Sequence, residues 1–440
     1  MLKRKAYDYL INWKNTKNKE SLLIKGARQV GKTFIVREFG KNEYESFIEL
    51  NFVKDPNLKE IFSGDLNPEQ IYRNISLYIN GTKLIPNRTL IFLDEIQKCS
   101  RARTALKFLA EDNKYDFIAS GSLLGLSYGT DADKEVEEVE SIPVGYEKQY
   151  TMYSLDFEEF LWSKKYTSEN LEELKKYFNS GEKVPESINS KFESLFREYI
   201  IVGGMPEVVE EYAKTNDFNS VKEKQKKILD DYKNDITNHA KKIEKPKISR
   251  CYENFPNQLT KENKKFSYSI VEKGTGSKKY GDSITWLEDA NFVYRCNNLH
   301  EPNIPLRANS IVDEFKLYIS DTGLLMYMFG DEAKKLIING KIKGNAKGGI
   351  YENIIAECLI KKGYNLNYYK DSKNTQEIEF LIEKGEEVVP IEVKAGNTST
   401  ISLNMYIDKN KPSIAYKLIN GNVGFNGVKH TLPHYMILFI

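Results

Sequence analysis

Apolar and polar positions follow two different periods along this 440-residue chain. Three short apolar runs, Leu22-Leu23-Ile24-Lys25, Thr89-Leu90-Ile91-Phe92-Leu93 and Tyr115-Asp116-Phe117-Ile118-Ala119, each end in polar or small residues. Such runs are what strands buried on both faces of a parallel sheet require. SFIELNF, Ser46 to Phe52, alternates as a fourth strand would. Helical spacing fills the gaps: Lys32 to about Phe39, about Pro68 to Asn80, and Ala102 to Asp112. Strands alternating with helices predict a three-layer α/β domain on a parallel sheet over residues 1–160.

From Trp162 to Tyr232 the pattern turns helical and rich in lysine and glutamate, broken at Ser180-Gly181 and at Val202-Gly203-Gly204-Met205-Pro206. A helical lid or connector over 161–220 is the expectation. A second wall for a ligand stays open as the alternative. Residues 221–345 then read as helix, turn, helix and a two-stranded stretch, a winged-helix layout. FKLYISDTGLLMYMFG closes this unit with a strand and an apolar helix, and Asp321 reads as that helix's cap. Residues 346–440 predict a helix from about Tyr351 to Lys361, followed by strands at Asn365–Lys370, around Glu379, and at Val389–Lys394.

Composition adds limits. The net charge is +2, with 65 basic against 63 acidic residues, so any nucleic-acid surface has to be local. Residues 221–280 supply such an excess, sixteen basic against eight acidic. No apolar run approaches the ~18 residues of a membrane span, and MLKRKAYDYLINW reads as an amphipathic helix rather than a signal peptide. Cys99, Cys251, Cys296 and Cys358 are scattered, which fits a reducing cytoplasm. Pro433 between His430 and His434 spoils a helical metal-ligand pair. The acidic run Asp131–Glu140 lacks ligand spacing and reads as an exposed loop.

The chemistry concentrates at Gly26-Ala27-Arg28-Gln29-Val30-Gly31-Lys32-Thr33, which fits G-x-x-x-x-G-K-[ST] at every fixed position. Two glycines let successive N–H groups turn toward a polyphosphate, and the following helix adds its N-terminal donors. In that reading Lys32 reaches the β- and γ-phosphates of ATP and the Thr33 hydroxyl binds Mg²⁺. Asp94 and Glu95 end the next buried strand. Ligands of parallel sheets bind beyond the strands' carboxyl ends, so Asp94 is expected to orient Mg²⁺ and Glu95 to act as general base. Ser120 or Ser122, ending a further strand, is the candidate γ-phosphate sensor.

A second constellation lies near the end of the chain. Glu392 and Lys394 share a strand face, Glu379 lies on the preceding strand, and Glu352 on the helix before it. One carboxylate from each of two strands can share Mg²⁺, with an ammonium nearby to activate water. This resembles the restriction-endonuclease-like D…E-x-K core, with Glu379 where aspartate is usual. The extra methylene displaces that ligand by more than ~1 Å, beyond the ~0.5 Å that catalytic positioning tolerates.

The stretches LLIKGARQVGKT, LIFLDEIQ, ASGSLLG, MYSLDFEEFLW and VGGMPEVV resemble the prokaryotic AAA-type ATPases that carry a C-terminal domain of unknown function. The resemblance implies an ATPase domain, a winged-helix module and a nuclease-like end. The implied partners are DNA, through 221–280 and the C-terminal domain, another protein, or further copies of the chain. Members of the wider group often carry a Gly-Arg pair before the FEEFL segment, but Ile142-Pro143-Val144-Gly145-Tyr146-Glu147 has no arginine. Arg101 and Arg103 are the nearby substitutes, with a solvated helix face as the expected role. The activities in view are therefore an Mg²⁺-dependent ATPase, an ATP-gated DNA nuclease, and a non-hydrolysing ATP-bound switch.

Overall fold

The structure, a computed structural model, describes residues 2–17, 19–81, 83–123, 126, 147–371, 376–396 and 400–440. The acidic run at 131–140 and the 142–146 segment lie outside these. The amino-terminal part contains α1 (Lys5–Lys14), β1 (Ser21–Gly26), α2 (Lys32–Glu43), β2 (Ser46–Asn51), α3 (Pro68–Tyr78), β3 (Thr89–Asp94), α4 (Ser100–Asp112), β4 (Asp116–Ser122) and β5 (Glu147–Thr151). The strands form one parallel sheet in the order β2-β3-β4-β1-β5.

This order follows from burial. β3 is buried at all six positions and takes an interior place, while the amphipathic β2 lies at an edge. On one face, Ala6, Leu10 and Trp13 of α1 and Ile35, Val36 and Phe39 of α2 pack with Leu22, Ile24, Leu90 and Phe92. On the other, Ile71 and Ile75 of α3 and Leu106 and Leu109 of α4 pack with Leu23, Ile91 and Leu93. Alternate strand residues therefore serve opposite layers, as the period of two requires. β4 separates β1 from β3, so the phosphate loop and the acidic strand end flank the end of β4.

Beyond Thr151 come α5 (Phe157–Ser163), α6 (Ser168–Ser180), α7 (Glu186–Val202), α8 (Pro206–Thr215), α9 (Phe218–His239), α10 (Lys245–Glu253), α11 (Phe255–Leu259), α12 (Tyr268–Val271) and α13 (Ser277–Asp289). Then follow β6 (Val293–Leu299), β7 (Ser310–Ile319), α14 (Thr322–Phe329), α15 (Asp331–Ile338) and α16 (Gly344–Lys361). The chain ends with β8 (Asn367–Lys370), β9 (Glu377–Lys384), β10 (Glu387–Val393), α17 (Ile401–Asn410), β11 (Ala415–Ile419), β12 (Gly424–Asn426) and β13 (Lys429–Pro433).

The β6–β7 hairpin follows several helices, as a wing would, but it does not stand alone. β6 pairs in parallel with β8, which joins it to the C-terminal strands in one eight-stranded mixed sheet, β12-β13-β11-β10-β9-β8-β6-β7. One hydrophobic core runs from Leu155 to Ile440 through lid, hairpin and terminal sheet. The expected division near residue 345 thus crosses a shared sheet and a shared core. Among the described residues no helix is long and apolar enough to cross a membrane. All four cysteines are buried and none forms a disulfide with another.

Candidate active site

The phosphate loop leaves β1 where the sheet is tightest. Met152 N–H donates to Lys25 O at 2.7 Å, and a Cβ on Gly26 would fall 2.3 Å from Met152 O. Only glycine fits there. At the other end Gly31 has φ 95°, a left-handed conformation that glycine adopts without strain. Lys32 is buried, and its ammonium donates to Gly26 O at 3.0 Å and Ala27 O at 2.8 Å. Burial pushes its pKa down to about 8. Two neutral carbonyls therefore hold a destabilised cation, which an anion at the loop would favour.

Asp94, 2% exposed, is the centre of a cage. Thr33 Oγ1 donates to both carboxylate oxygens at 3.0 and 3.2 Å, Asn51 Nδ2 donates to Oδ2 at 2.7 Å, and Ser120 Oγ donates to Oδ1. All three donors are neutral. They fix the orientation of the carboxylate without cancelling its charge, the usual way a second layer of residues serves a cation site. Thr33 and Asp94 are the residues that would hold Mg²⁺ there. Glu95 takes φ 57° and ψ 46°, left-handed for a non-glycine residue, and Gln97 Nε2 donates to its Oε2 at 2.5 Å. The backbone thus turns sharply at Glu95, and both acids line the same cleft near Lys32.

Ser120 is buried and its hydroxyl donates to Asp94, so it positions the acid. Ser122, two residues on, lines the open cleft. Asn51 escaped the sequence reading altogether. It stands at the carboxyl end of β2 in register with Asp94, a polar residue where the strand pattern stops. Arg101 and Arg103 are not a solvated face: Arg101 donates to Phe62 O and Gly64 O, and Arg103 pairs with Glu147 at 2.9 Å.

A cleft of about 1120 Å³ opens over the loop. One wall is Gly31, Lys32, Thr33, Asp94 and Glu95; Arg4 and Tyr7 of the amino-terminal segment and Pro206, Glu207 and Glu210 of α8 form another. Arg4 is nearly buried and ties three elements together, donating to Val30 O at 3.1 Å, Tyr153 O at 2.8 Å and Glu159 Oε1 at 3.1 Å. FEEFL thus contributes Glu159, which also closes the capping box of α5. The GGMP turn is explained by Asp321. That residue caps α14 as expected, its Oδ2 also accepts from Gly204 N at 2.8 Å, and a Cβ on Gly203 would fall 2.1 Å from its Oδ1. The connector is therefore the second wall that the sequence left open.

The C-terminal constellation does assemble, but with different electrostatics. Lys394 Nζ lies 2.9 Å from Glu379 Oε1 and 3.2 Å from Glu392 Oε1. Glu352 is held by Lys264 at 2.8 Å, with Lys316 at 3.7 Å. Burial, followed by the charge of Glu379, pushes the Glu392 carboxyl up to about 7. Lysines thus take the places where a cation would neutralise these acids. No group of three or more His, Cys, Asp or Glu side chains among the described residues forms a metal site. Lys394 stands beside Glu379 and Glu392 as the expected ammonium would, while Glu352 is paired with Lys264 and Lys316. His434 is buried against Tyr351 and Lys394 O, away from His430, which stacks on Phe425.

Part of the basic excess at 221–280 is also offset. Lys222 pairs with Asp331, Lys224 and Lys227 with Glu207, Lys265 with Glu314, and Arg250 and Lys279 with Glu272. Most of these acids come from outside the segment, so a local count of charges missed them.

Comparison with known proteins agrees with the amino-terminal geometry. Residues 18–161 match a family model described as an AAA domain. Residues 193–335 and 347–431 match two models each described as a domain of unknown function, DUF8612 and DUF4143. No curated protein matches the chain. Similar solved structures include a Walker-type ATPase of Pyrococcus abyssi, 14% identical, covering 75% of this chain and 96% of that one at a TM-score of 0.42. The Aeropyrum pernix ORC1 protein in complex with DNA is 11% identical, covers 76% and 90%, and scores 0.26. A Pyrococcus horikoshii signal transduction ATPase with numerous domains is 12% identical, covers 82% of this chain and 46% of its own length, and scores 0.27. At such scores these likenesses add nothing to the assignment. The match to an AAA domain over residues 18–161 falls on the part of the chain that carries the parallel α/β sheet.

Proposed function

We propose that the chain binds ATP with Mg²⁺ in the cleft above the phosphate loop and hydrolyses it to ADP and phosphate. The observation that carries this reading is Asp94: a buried carboxylate whose hydrogen-bond donors, Thr33, Asn51 and Ser120, are all neutral, with Lys32 near enough to interact with it. A divalent cation there would neutralise charge on the β- and γ-phosphates. Lys32 leaves its carbonyl cage for the phosphate oxygens, and Glu95 accepts a proton from the attacking water as the γ-phosphorus to bridging-oxygen bond breaks. Nucleotide state passes to the rest of the chain through α8 and α9, which share the cleft. The paired lysines at Glu352, Glu379 and Glu392 give the nuclease alternative no comparable support.

The test is ATP turnover and ATP binding by purified wild-type and Lys32→Ala protein with Mg²⁺ present or chelated. Turnover that needs both Lys32 and Mg²⁺ supports the reading. Identical negligible turnover in both proteins, with ATP bound tightly by wild type, would move the chain to the class of non-hydrolysing switches.

A further inference from the structure

Three polar residues of α9 at four-residue spacing, Asp231, Asp235 and His239, all face the phosphate loop. Gln29 Nε2 donates to Asp231 Oδ2 at 2.5 Å, Arg28 Nη1 lies 2.5 Å from Asp235 Oδ1, and Arg28 Nη2 lies 3.4 Å from His239 Nε2. Gln29 is itself held at φ 65°, a left-handed conformation costly for a residue with a side chain. Two of the loop's four variable residues, Arg28 and Gln29, are therefore bound by one stripe of one helix.

The central contact is close but poorly made. Asp235 is fully buried, yet neither of its carboxylate oxygens accepts a hydrogen bond of normal geometry. Burial, opposed mainly by Arg28, pushes its pKa up to about 6, and it lies within the field of Glu95 and Lys32. A buried acid is thus placed behind Arg28, which itself lines the cleft together with Gln29 and Asp231. Polyphosphate oxygens compete well for such a contact, because a guanidinium binds phosphate and carboxylate through the same fork of donors.

We infer that α9 is an acidic latch on the phosphate loop, and that Arg28 is a phosphate-binding cation which bound ATP takes from Asp235, releasing the helix. The inference rests on the proposed ATP site and adds to it a ligand residue and a route of release. The route is visible in packing: Gln225 of α9 donates to Ile201 O and Val202 O just before the GGMP turn, and Tyr232 stacks on Phe292, beside β6, at 4.0 Å. Movement of α9 is therefore felt at both the lid and the hairpin. Arg28 also supplies a positive charge in cis, in a chain whose 142–147 segment has no arginine.

The experiment is equilibrium binding of a fluorescent ATP analogue with Mg²⁺ to wild type, Asp235→Asn, Arg28→Gln, the double variant and Lys32→Ala, with thermal unfolding of each. Asp235→Asn is expected to bind about tenfold tighter and Arg28→Gln about tenfold weaker, the size of one charge-assisted hydrogen bond. The double variant should bind like Arg28→Gln. Unchanged affinity in Asp235→Asn, or a gain that survives Arg28→Gln, overturns the latch. Should Asp235→Asn fail to fold, amide hydrogen exchange on wild type decides: ATP should lower protection across 228–239, and unchanged or raised protection overturns the proposal. Binding that is absent in wild type, or as strong in Lys32→Ala, brings down the ATP site itself. Lys32-dependent binding untouched by Asp235→Asn brings down the latch alone.

Discussion

At the phosphate-loop site the buried acid Asp94 is held by hydroxyl and amide donors, whereas at the C-terminal cluster Glu352, Glu379 and Glu392 are held by ammonium groups. Both groups of residues are buried, and both offer carboxylates that a divalent cation accepts. What differs is whether the charge is already met. Neutral donors orient a carboxylate and leave it waiting for a cation. Lysines within 2.9 and 3.2 Å complete the charge balance inside the protein. A buried ion pair of that kind costs desolvation on both sides, and breaking it costs more than forming it gains. Residue types and spacing therefore do not identify a metal centre. The partners do.

The largest expected effect separates the sites by chemistry. Glu95→Gln should lower ATP turnover by ~10²–10⁴-fold, the range of a positioned general base, while the fluorescent analogue still binds. Glu392→Gln in the same assay should leave turnover near wild type. Equal losses would mean that the C-terminal cluster belongs to the ATPase machinery and that the contrast is false. Next comes stability. Above pH 7, where Glu392 is ionised, Lys394→Met removes the cation that both Glu379 and Glu392 contact, and removing one partner of such a pair costs about 3–5 kcal/mol, read as a lower midpoint in chemical denaturation. A Lys394→Met protein that Mn²⁺ then restabilises would show a metal site masked by its lysine. A smaller effect tests the neutral cage: Asn51→Ala should weaken Mg²⁺ in the nucleotide complex by ~10–100-fold, as loss of a supporting hydrogen bond does. Mg²⁺ titration of turnover checks it, and an unchanged half-maximal concentration would remove Asn51 from the site.

How much of this was legible depended on sequence distance. Gly26 to Thr33 and Asp94-Glu95 were readable because each motif is local and each carries its own strand or helix signal. Asn51 joins Asp94 only through pairing of β2 with β3, and α9 reaches Arg28 across some two hundred residues; neither contact leaves a periodic trace. Ser120 and Ser122 lie on one strand with equal claims, and only the side-chain partner distinguishes the one spent on Asp94 from the one lining the cleft. The winged-helix expectation recovered the order of elements but not the pairing of β6 with β8, since a period of two shows that a strand has a neighbour without saying which. The Glu379, Glu392 and Lys394 side chains do meet, as their strand positions suggested. Lys264 and Lys316, which hold Glu352, come from elsewhere in the fold.

The smallest effect concerns the charge state of Glu392 itself. Burial raises its pKa from 4.5 in the unfolded chain to about 7 in the fold. Between those values the native protein holds the proton more firmly, so this group's contribution to stability is fully present below the lower value and is lost as pH rises toward the upper. Lys394 softens the loss, because it sits beside the ionised form. Glu392→Gln keeps the shape and removes the titration. The stability of the variant relative to wild type should therefore climb from pH 4.5 to pH 7 and level off above it, measured by urea denaturation at matched ionic strength. Other groups titrate in the same range, notably His434, whose pKa burial depresses to about 3. His434 is common to both proteins and cancels in the difference. A flat difference across that window would mean that Glu392 is ionised throughout, held by Lys394 as an ordinary ion pair, and that the two acidic sites differ in the kind of partner alone.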